Sequence, residues 1–239
     1  AFDLLWRLIS TKEQQERMQQ FVPTEYNNLA VDEDGFVYAT TSIYEEYNIE
    51  AYGLTAVRKL NASGNDILRY SMPLGELAYT VRGQFAGPSR IVDVYAGENG
   101  MFSILDANRG RVFTYDNTGM LLYIFGTYGD MGGALKNPRA IDKSGDLFLV
   151  LDGSKNTVTA YSPTAYARSF DRATAYHYQD EYELEAQEWR TILSLNGNSN
   201  IAYTGLGKAA FRTGRYEEAM EYFHKAGDRA NYSNAFQYR

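Results

Sequence analysis

Apolar and polar positions along the first two thirds of the chain alternate with a period near two. Leu147-Phe-Leu-Val-Leu is a continuous apolar run between turn residues, the pattern of a strand covered on both faces. Val112 and Thr114, and again Val158 and Ala160, lie in alternating runs that end at Tyr115 and Tyr161 and then turn. These runs belong to one motif written twice. The first copy runs from Ile91 through Gly100, Asp106, Arg111-Val112 and Gly119 to Gly126. The second runs from Pro138 through Asp142, Gly145 and Asp152 to Val158 and Tyr161. Their turn glycines, Gly100 and Gly145, stand 45 positions apart. An earlier copy opens at Leu29, turns at Gly35 and continues through Val57-Arg-Lys-Leu60 to Gly64. Gly35 and Gly100 are 65 apart, so this copy carries two insertions, near 43–53 and 74–87, expected as loops.

A repeat of roughly 40–50 residues with about four short strands per unit is the period of a β-propeller blade. The pattern predicts three consecutive antiparallel four-stranded blades over residues 24–165, the last incomplete or completed by another segment. The residues Pro138, Asp142, Gly145, Asp152 and Val158, and again Asp106, Arg111-Val112, Gly119 and Gly126, resemble NHL repeats over roughly 26–165. The resemblance implies a propeller and says little about activity, because fold does not dictate function.

After Thr164 the period becomes helical. Tyr182 and Tyr216, Trp189 and Phe223, and Ala173 and Gly207 are each 34 apart, the period of a tetratricopeptide (TPR) repeat. The segment Tyr203, Leu206-Gly207, Ala210-Phe211, Gly214, Tyr216, Ala219, Phe223, Ala226 resembles a TPR unit. Its small residues let paired helices approach, and its large ones fill the space between them. The first unit departs from the pattern at Glu185, where a small residue belongs, with Ala186 beside it. Residues 228–239, with Tyr232 and Phe236, read as a further packing helix, which a solenoid needs as a cap or next repeat. The predicted fold is therefore mixed: covering helices over 1–23, all-β NHL-like blades over 24–165 and an α-helical TPR-like module over 166–239. In the first of these, Ser10-Thr-Lys-Glu13 is a capping box, and its helix ends before Val22-Pro23.

Composition narrows the chemistry. The net charge of −7 and the absence of any Lys/Arg run argue against a nucleic-acid surface. Without cysteine there are no disulfides, thiolate metal ligands or thiol nucleophiles. No apolar run reaches the length of a membrane span. Tyrosine is abundant, with 21 copies, and reads as propeller surface and TPR core in preference to an aromatic recognition surface. The chain begins Ala-Phe-Asp and offers three blades where a closed propeller usually has four or more, so the expectation is a piece of a longer protein or a propeller with further blades.

Candidate catalytic constellations are few. The only histidines, His177 and His224, fall in the helical part and read as helix residues, not zinc ligands. Asp93, Asp106, Asn108, Asp142 and Asp152 are oxygen donors of the kind calcium takes. At repeated blade positions, however, they read first as side chains that satisfy backbone N–H groups at turns. The stretch Gly126–Lys136 is glycine-rich but lacks the Gly-Lys-Ser/Thr and helix of a phosphate loop. Glu45-Glu46 and Glu217-Glu218 read as solvated pairs. No catalytic residue, cofactor or metal is assigned.

The expected function is a non-enzymatic scaffold that binds a protein or peptide. With Leu206, Gly207 and Ala210 turned into the helical hairpin, Thr204, Lys208, Phe211 and Arg212 are left for a groove. Lys208 and Arg212, one turn apart, form a positive pair suited to an acidic segment or a C-terminal carboxylate, with Phe211 as apolar anchor. The competing expectation is a groove filled by the helix of Phe236 or by the propeller edge. A second functional reading is a propeller-funnel enzyme or small-ligand or carbohydrate binder, of the lactonase or lyase type, with its site in blades outside this chain. The helix, Phe-Val-Pro-Thr-Glu-Tyr, Asp-Gly-Phe-Val-Tyr order also resembles Gram-positive bacterial proteins that combine NHL and TPR repeats. That resemblance implies the cell surface, anchoring through other segments and association with membrane transport components.

Overall fold

A computed structural model describes residues 25–41, 55–68, 74–75 and 89–239. The covering helices expected over 1–23 and the cores of both insertions lie outside the described residues. Among the described residues, ten strands form three antiparallel sheets in chain order. Sheet one holds β1 (Tyr26–Val31), β2 (Val37–Thr41) and β3 (Val57–Leu60). Sheet two holds β4 (Ile91–Ala96), β5 (Phe102–Asp106), β6 (Arg111–Tyr115) and β7 (Leu121–Phe125). Sheet three holds β8 (Pro138–Ser144), β9 (Leu147–Asp152) and β10 (Thr157–Tyr161). Each is a simple meander, as in a propeller blade. Only sheet two reaches the expected four strands among the described residues. In sheet three the chain leaves the β pattern at Ser162-Pro163-Thr164. Pro163 cannot donate to a ladder, and the Thr164 side chain caps the next helix by accepting from the Ala167 N–H at 3.2 Å.

The alternation read from sequence sets the stacking. On β5, Phe102 and Ile104 point toward sheet one, packing with Tyr38 and Val57 of that sheet and with Ile91 and Val94 of the neighbouring β4. Leu105 points the other way, into a cluster with Val112, Ile141, Phe148 and Val150 that joins sheets two and three. β5 is covered on both faces, and all five of its residues are buried. The turn glycines Gly100 and Gly145 take φ of 68° and 56°, a region costly for residues with a Cβ.

The aspartates of the repeat serve the backbone. Asp106 accepts from the N–H groups of Arg90 and Asn108 at 3.0 and 2.8 Å and from Ser89 Oγ at 2.7 Å. Asp152 accepts from the N–H groups of Lys136, Asn137, Ser154 and Lys155 at 2.5–3.2 Å. Asp93 links sheets two and three by accepting from the Ile141 N–H at 2.7 Å. Among the described residues, no group of three or more His, Cys, Asp or Glu is placed to hold a metal ion.

Five helices follow: α1 (Ala165–Tyr178), α2 (Tyr182–Leu195), α3 (Asn200–Arg212), α4 (Tyr216–Ala226) and α5 (Arg229–Gln237). Each packs on the next. Glycines set how close they come. A Cβ on Gly205 would lie 2.3 Å from the Trp189 ring, and one on Gly207 would lie 2.5 Å from the Phe223 ring. Among the described residues no helix is long and apolar enough to cross a membrane.

Two expectations follow from this packing. Helix propensity alone says Gly205→Ala gains about 1 kcal/mol. The buried indole cannot yield, so the variant is expected to lose about 1–3 kcal/mol instead, whereas Gly132→Ala, with open space at its Cβ, is expected to be near neutral in the same urea titration. The second concerns pH. Burial alone would raise the Asp152 carboxyl, but its four backbone donors outweigh burial and hold its pKa below the ordinary value. Its ionised form is thus favoured by folding, a stabilisation fully present above pH about 4 and lost as pH falls through the lower folded value. Asp152→Asn is expected to flatten this acid limb in unfolding curves taken from pH 7 to pH 2 and to cost about 1–3 kcal/mol at pH 7.

Candidate functional site

In a four-strand meander the first and third hairpins lie at the same end of the sheet. In sheet two these are the β4–β5 and β6–β7 turns, and the helices sit on that end. Met101 of the β4–β5 turn and Leu122 at the start of β7 share one apolar cluster with Phe170, Ala173, Trp189, Ile192, Ala202 and Leu206. Tyr178, at the end of α1, is bonded to the Asn117 side chain on the β6–β7 turn.

A cleft of about 180 Å³ remains between this turn and the helices. Asp116, Asn117 and Thr118 form one wall. His177 and Tyr178 of α1, Glu185 and Trp189 of α2, and Thr204, Gly205 and Lys208 of α3 line the other sides, together with Met120, Leu122, Thr174 and Ile201. Its depth comes from Gly205, which lets Trp189 lie flat against α3.

Glu185 is the residue that breaks the repeat pattern. It is 2% exposed, and a buried charge needs partners. The Trp189 Nε1–H donates to its Oε1 at 2.9 Å, and its Oε2 pairs with His177 Nδ1 at 3.0 Å. Placed in the first turn of α2, it also faces the positive end of that helix. The carboxylate therefore ties α1 to α2 behind the cleft.

The four groove residues separate. Thr204 and Lys208 line the cleft, Thr204 buried and Lys208 half-buried. No hydrogen bond or ion pair joins the Lys208 ammonium to another described residue. Arg212 lies one turn further along and is exposed. Phe211 faces elsewhere, with its ring 5.3 Å from Tyr216 and 5.4 Å from Tyr238. There it is held by the end of α5, while Phe236 itself is 58% exposed. Leu206, Gly207 and Ala210 are buried between helices, as the spacing requires.

His177, Glu185 and the Asp116–Thr118 turn had no place in the groove read from sequence. The misfit of Glu185 within the 34-residue period was the one signal available. The turn's approach to α3 is a contact between two repeats of different period, which neither period encodes.

No protein-family model matches the chain, and no curated protein matches it. Solved structures bear a distant likeness to it. One is the computationally designed Ika4 protein, 14% identical over 57% of this chain and 64% of that one, TM-score 0.33. Another is a protein of unknown function from Bacteroides caccae, 13% identical over 59% and 43%, TM-score 0.39. A third is a streptogramin B lyase, 12% identical over 60% and 42%, TM-score 0.34. The likeness spans less than two thirds of each of these proteins.

Removing the Glu185 carboxylate leaves an indole N–H and an imidazole without their acceptor. Glu185→Ala is expected to cost about 1–3 kcal/mol and to shift the fluorescence of Trp189. Glu185→Gln, which still offers the indole an oxygen, is expected to cost less. Equal losses in the two variants would show that the hydrogen bonds contribute little.

Proposed function

We propose that this chain is a protein-binding scaffold in which NHL-type blades carry a TPR-type helical module, and that the cleft at their junction receives an acidic side chain or terminal carboxylate of a partner peptide. The observation that carries this reading is the Lys208 ammonium. It lines a cleft formed jointly by sheet and helices and makes no ion pair with another described residue, in a chain whose net charge is −7. Thr204 adds a hydroxyl beside it, and the exposed Arg212 adds a second positive charge one turn further along α3.

Size favours this ligand class. Sites for drug-sized molecules run to roughly 300–1,000 Å³, so about 180 Å³ suits one side chain or chain end. The 34-residue spacing and the close helix pairs at Gly205 and Gly207 support the TPR reading. The meander sheets with their aspartate-bound turns support the NHL reading. The role proposed is binding and not catalysis: Glu185 is engaged at both oxygens by Trp189 and His177, as befits a structural post.

Selection from a random peptide library with free C-termini, using the purified chain as bait, tests the reading. Enriched peptides are expected to share an acidic residue or to lose binding when the terminus is amidated. Lys208→Glu is expected to weaken the best of them by about tenfold or more, equivalent to at least about 1.4 kcal/mol, at unchanged Tm. Enrichment of neutral or basic peptides, or binding indifferent to Lys208→Glu, would contradict it.

A further inference from the structure

A second cavity, of about 120 Å³, lies under α1 where sheets two and three meet at their hairpin ends. The register of sheet two shows what is unusual about it. One rung across the four strands is Asp93, Leu105, Val112 and Phe125, and its last three members pack against sheet three. Two residues closer to the hairpins, on the same face, the rung is Tyr95, Ser103, Thr114 and Tyr123. Every member carries a hydroxyl, and all four line the cavity.

The repeat does not require these hydroxyls. Three positions before Asp152, where sheet two has Ser103 before Asp106, sheet three has Leu149. Two positions after Val158, where sheet two has Thr114 after Val112, it has Ala160. Ser103 and Thr114 are 1% and 2% exposed and bond to each other at 2.8 Å. Hydroxyls buried between blades stabilise less than the methyl groups the repeat permits.

Charged groups converge on the same space. Asp171 of α1 accepts from the Tyr123 hydroxyl at 3.1 Å. Lys143 of β8 stands opposite, its Nζ 5.2 Å from the Phe148 ring centre. Burial pushes the Asp171 carboxyl up, and the charge of Lys143 and the Tyr123 hydroxyl pull it partly back. The Tyr95 ring stands edge-on to Phe148, 5.8 Å between centres.

We propose that this cavity binds the hydroxylated edge of a small neutral polyol, such as a sugar ring, with Asp171 accepting, Lys143 donating and the hydroxyl rung completing the contacts. The opposite charges of Asp171 and Lys143 disfavour a ligand with a net charge of either sign. Adjacent hydroxyls on a ring each donate and accept, which matches a carboxylate facing an ammonium. The volume equals that of about four waters, so an edge enters and the rest of the ring stays outside, near Glu98 and Asn99 at the β4–β5 turn. Displacing ordered water with groups that reproduce its hydrogen bonds retains affinity. This site is separate from the Lys208 cleft and stands or falls independently of it.

Titration calorimetry of the purified chain with D-glucose, D-galactose, myo-inositol and glycerol tests the proposal. At least one probe is expected to bind at millimolar concentration. Asp171→Asn and Lys143→Met are each expected to weaken that binding by about tenfold or more while the Tm of the free protein stays put. No heat with any probe, or binding unchanged in both variants, would overturn the proposal. If Asp171→Asn fails to fold, Lys143→Met, a change to a half-buried side chain, decides alone.

Discussion

One apolar cluster joins the helices to the sheets, and the two clefts lie on either side of it. Met101 and Leu122 project from the end of sheet two into the same cluster as Phe170, Trp189 and Ile192. Phe170 is fully buried at its centre, with Tyr123 6.0 Å away on the sheet side and Trp189 5.6 Å away on the helix side. Burying one such side chain is worth roughly 1.5–3 kcal/mol, so a few of them outweigh the polar mismatches around the seam. Those mismatches lie on either side of the cluster: the Glu185–His177 pair toward the β6–β7 turn, and Asp171 with the hydroxyl rung toward sheet three.

This arrangement gives the junction a division of labour. The apolar cluster fixes α1 across the hairpins, and hydrogen-bonded carboxylates fix its orientation. Asp93, Asp106 and Asp152 do the corresponding work inside the sheets, each by accepting from backbone N–H groups at a turn or across a blade boundary. Carboxylates that are fully engaged in this way stiffen the frame. The polar groups left facing open space, Lys208 on one side and Lys143 with Asp171 on the other, are the ones available to a ligand.

Much of the fold was legible in the sequence because it is local and repeated. Gly100 and Gly145, with Asp106 and Asp152 six and seven residues beyond them, mark turns whose geometry depends on a few neighbouring residues. The 34-residue spacing placed Trp189, Leu206, Gly207, Ala219 and Phe223 between helices, where they are found. The candidate site was less legible. Thr204 and Lys208 do line a cleft, but Phe211, one turn on, is drawn away by Tyr216 and Tyr238, and Tyr238 belongs to a helix end whose position no period fixes. The hydroxyl rung could not be read before the register was known, since Tyr95, Ser103, Thr114 and Tyr123 have no common spacing. They become one row only when four strands pair. That no described strand follows β10 in sheet three has a plain local cause in Pro163 and the Thr164 cap.

The architecture of the junction requires α1 to be seated on the hairpin end of sheet two. Because the chain has no cysteine, nitroxide labels can be placed singly and in pairs without background. Labels at Thr118, on the β6–β7 turn, and Gln179, beside the Tyr178 that bonds Asn117, report the seam directly by pulsed electron resonance. One short, narrow distance distribution is expected, and it should broaden when Phe170 is replaced by alanine. A broad or long distribution in the otherwise unaltered protein would contradict the account.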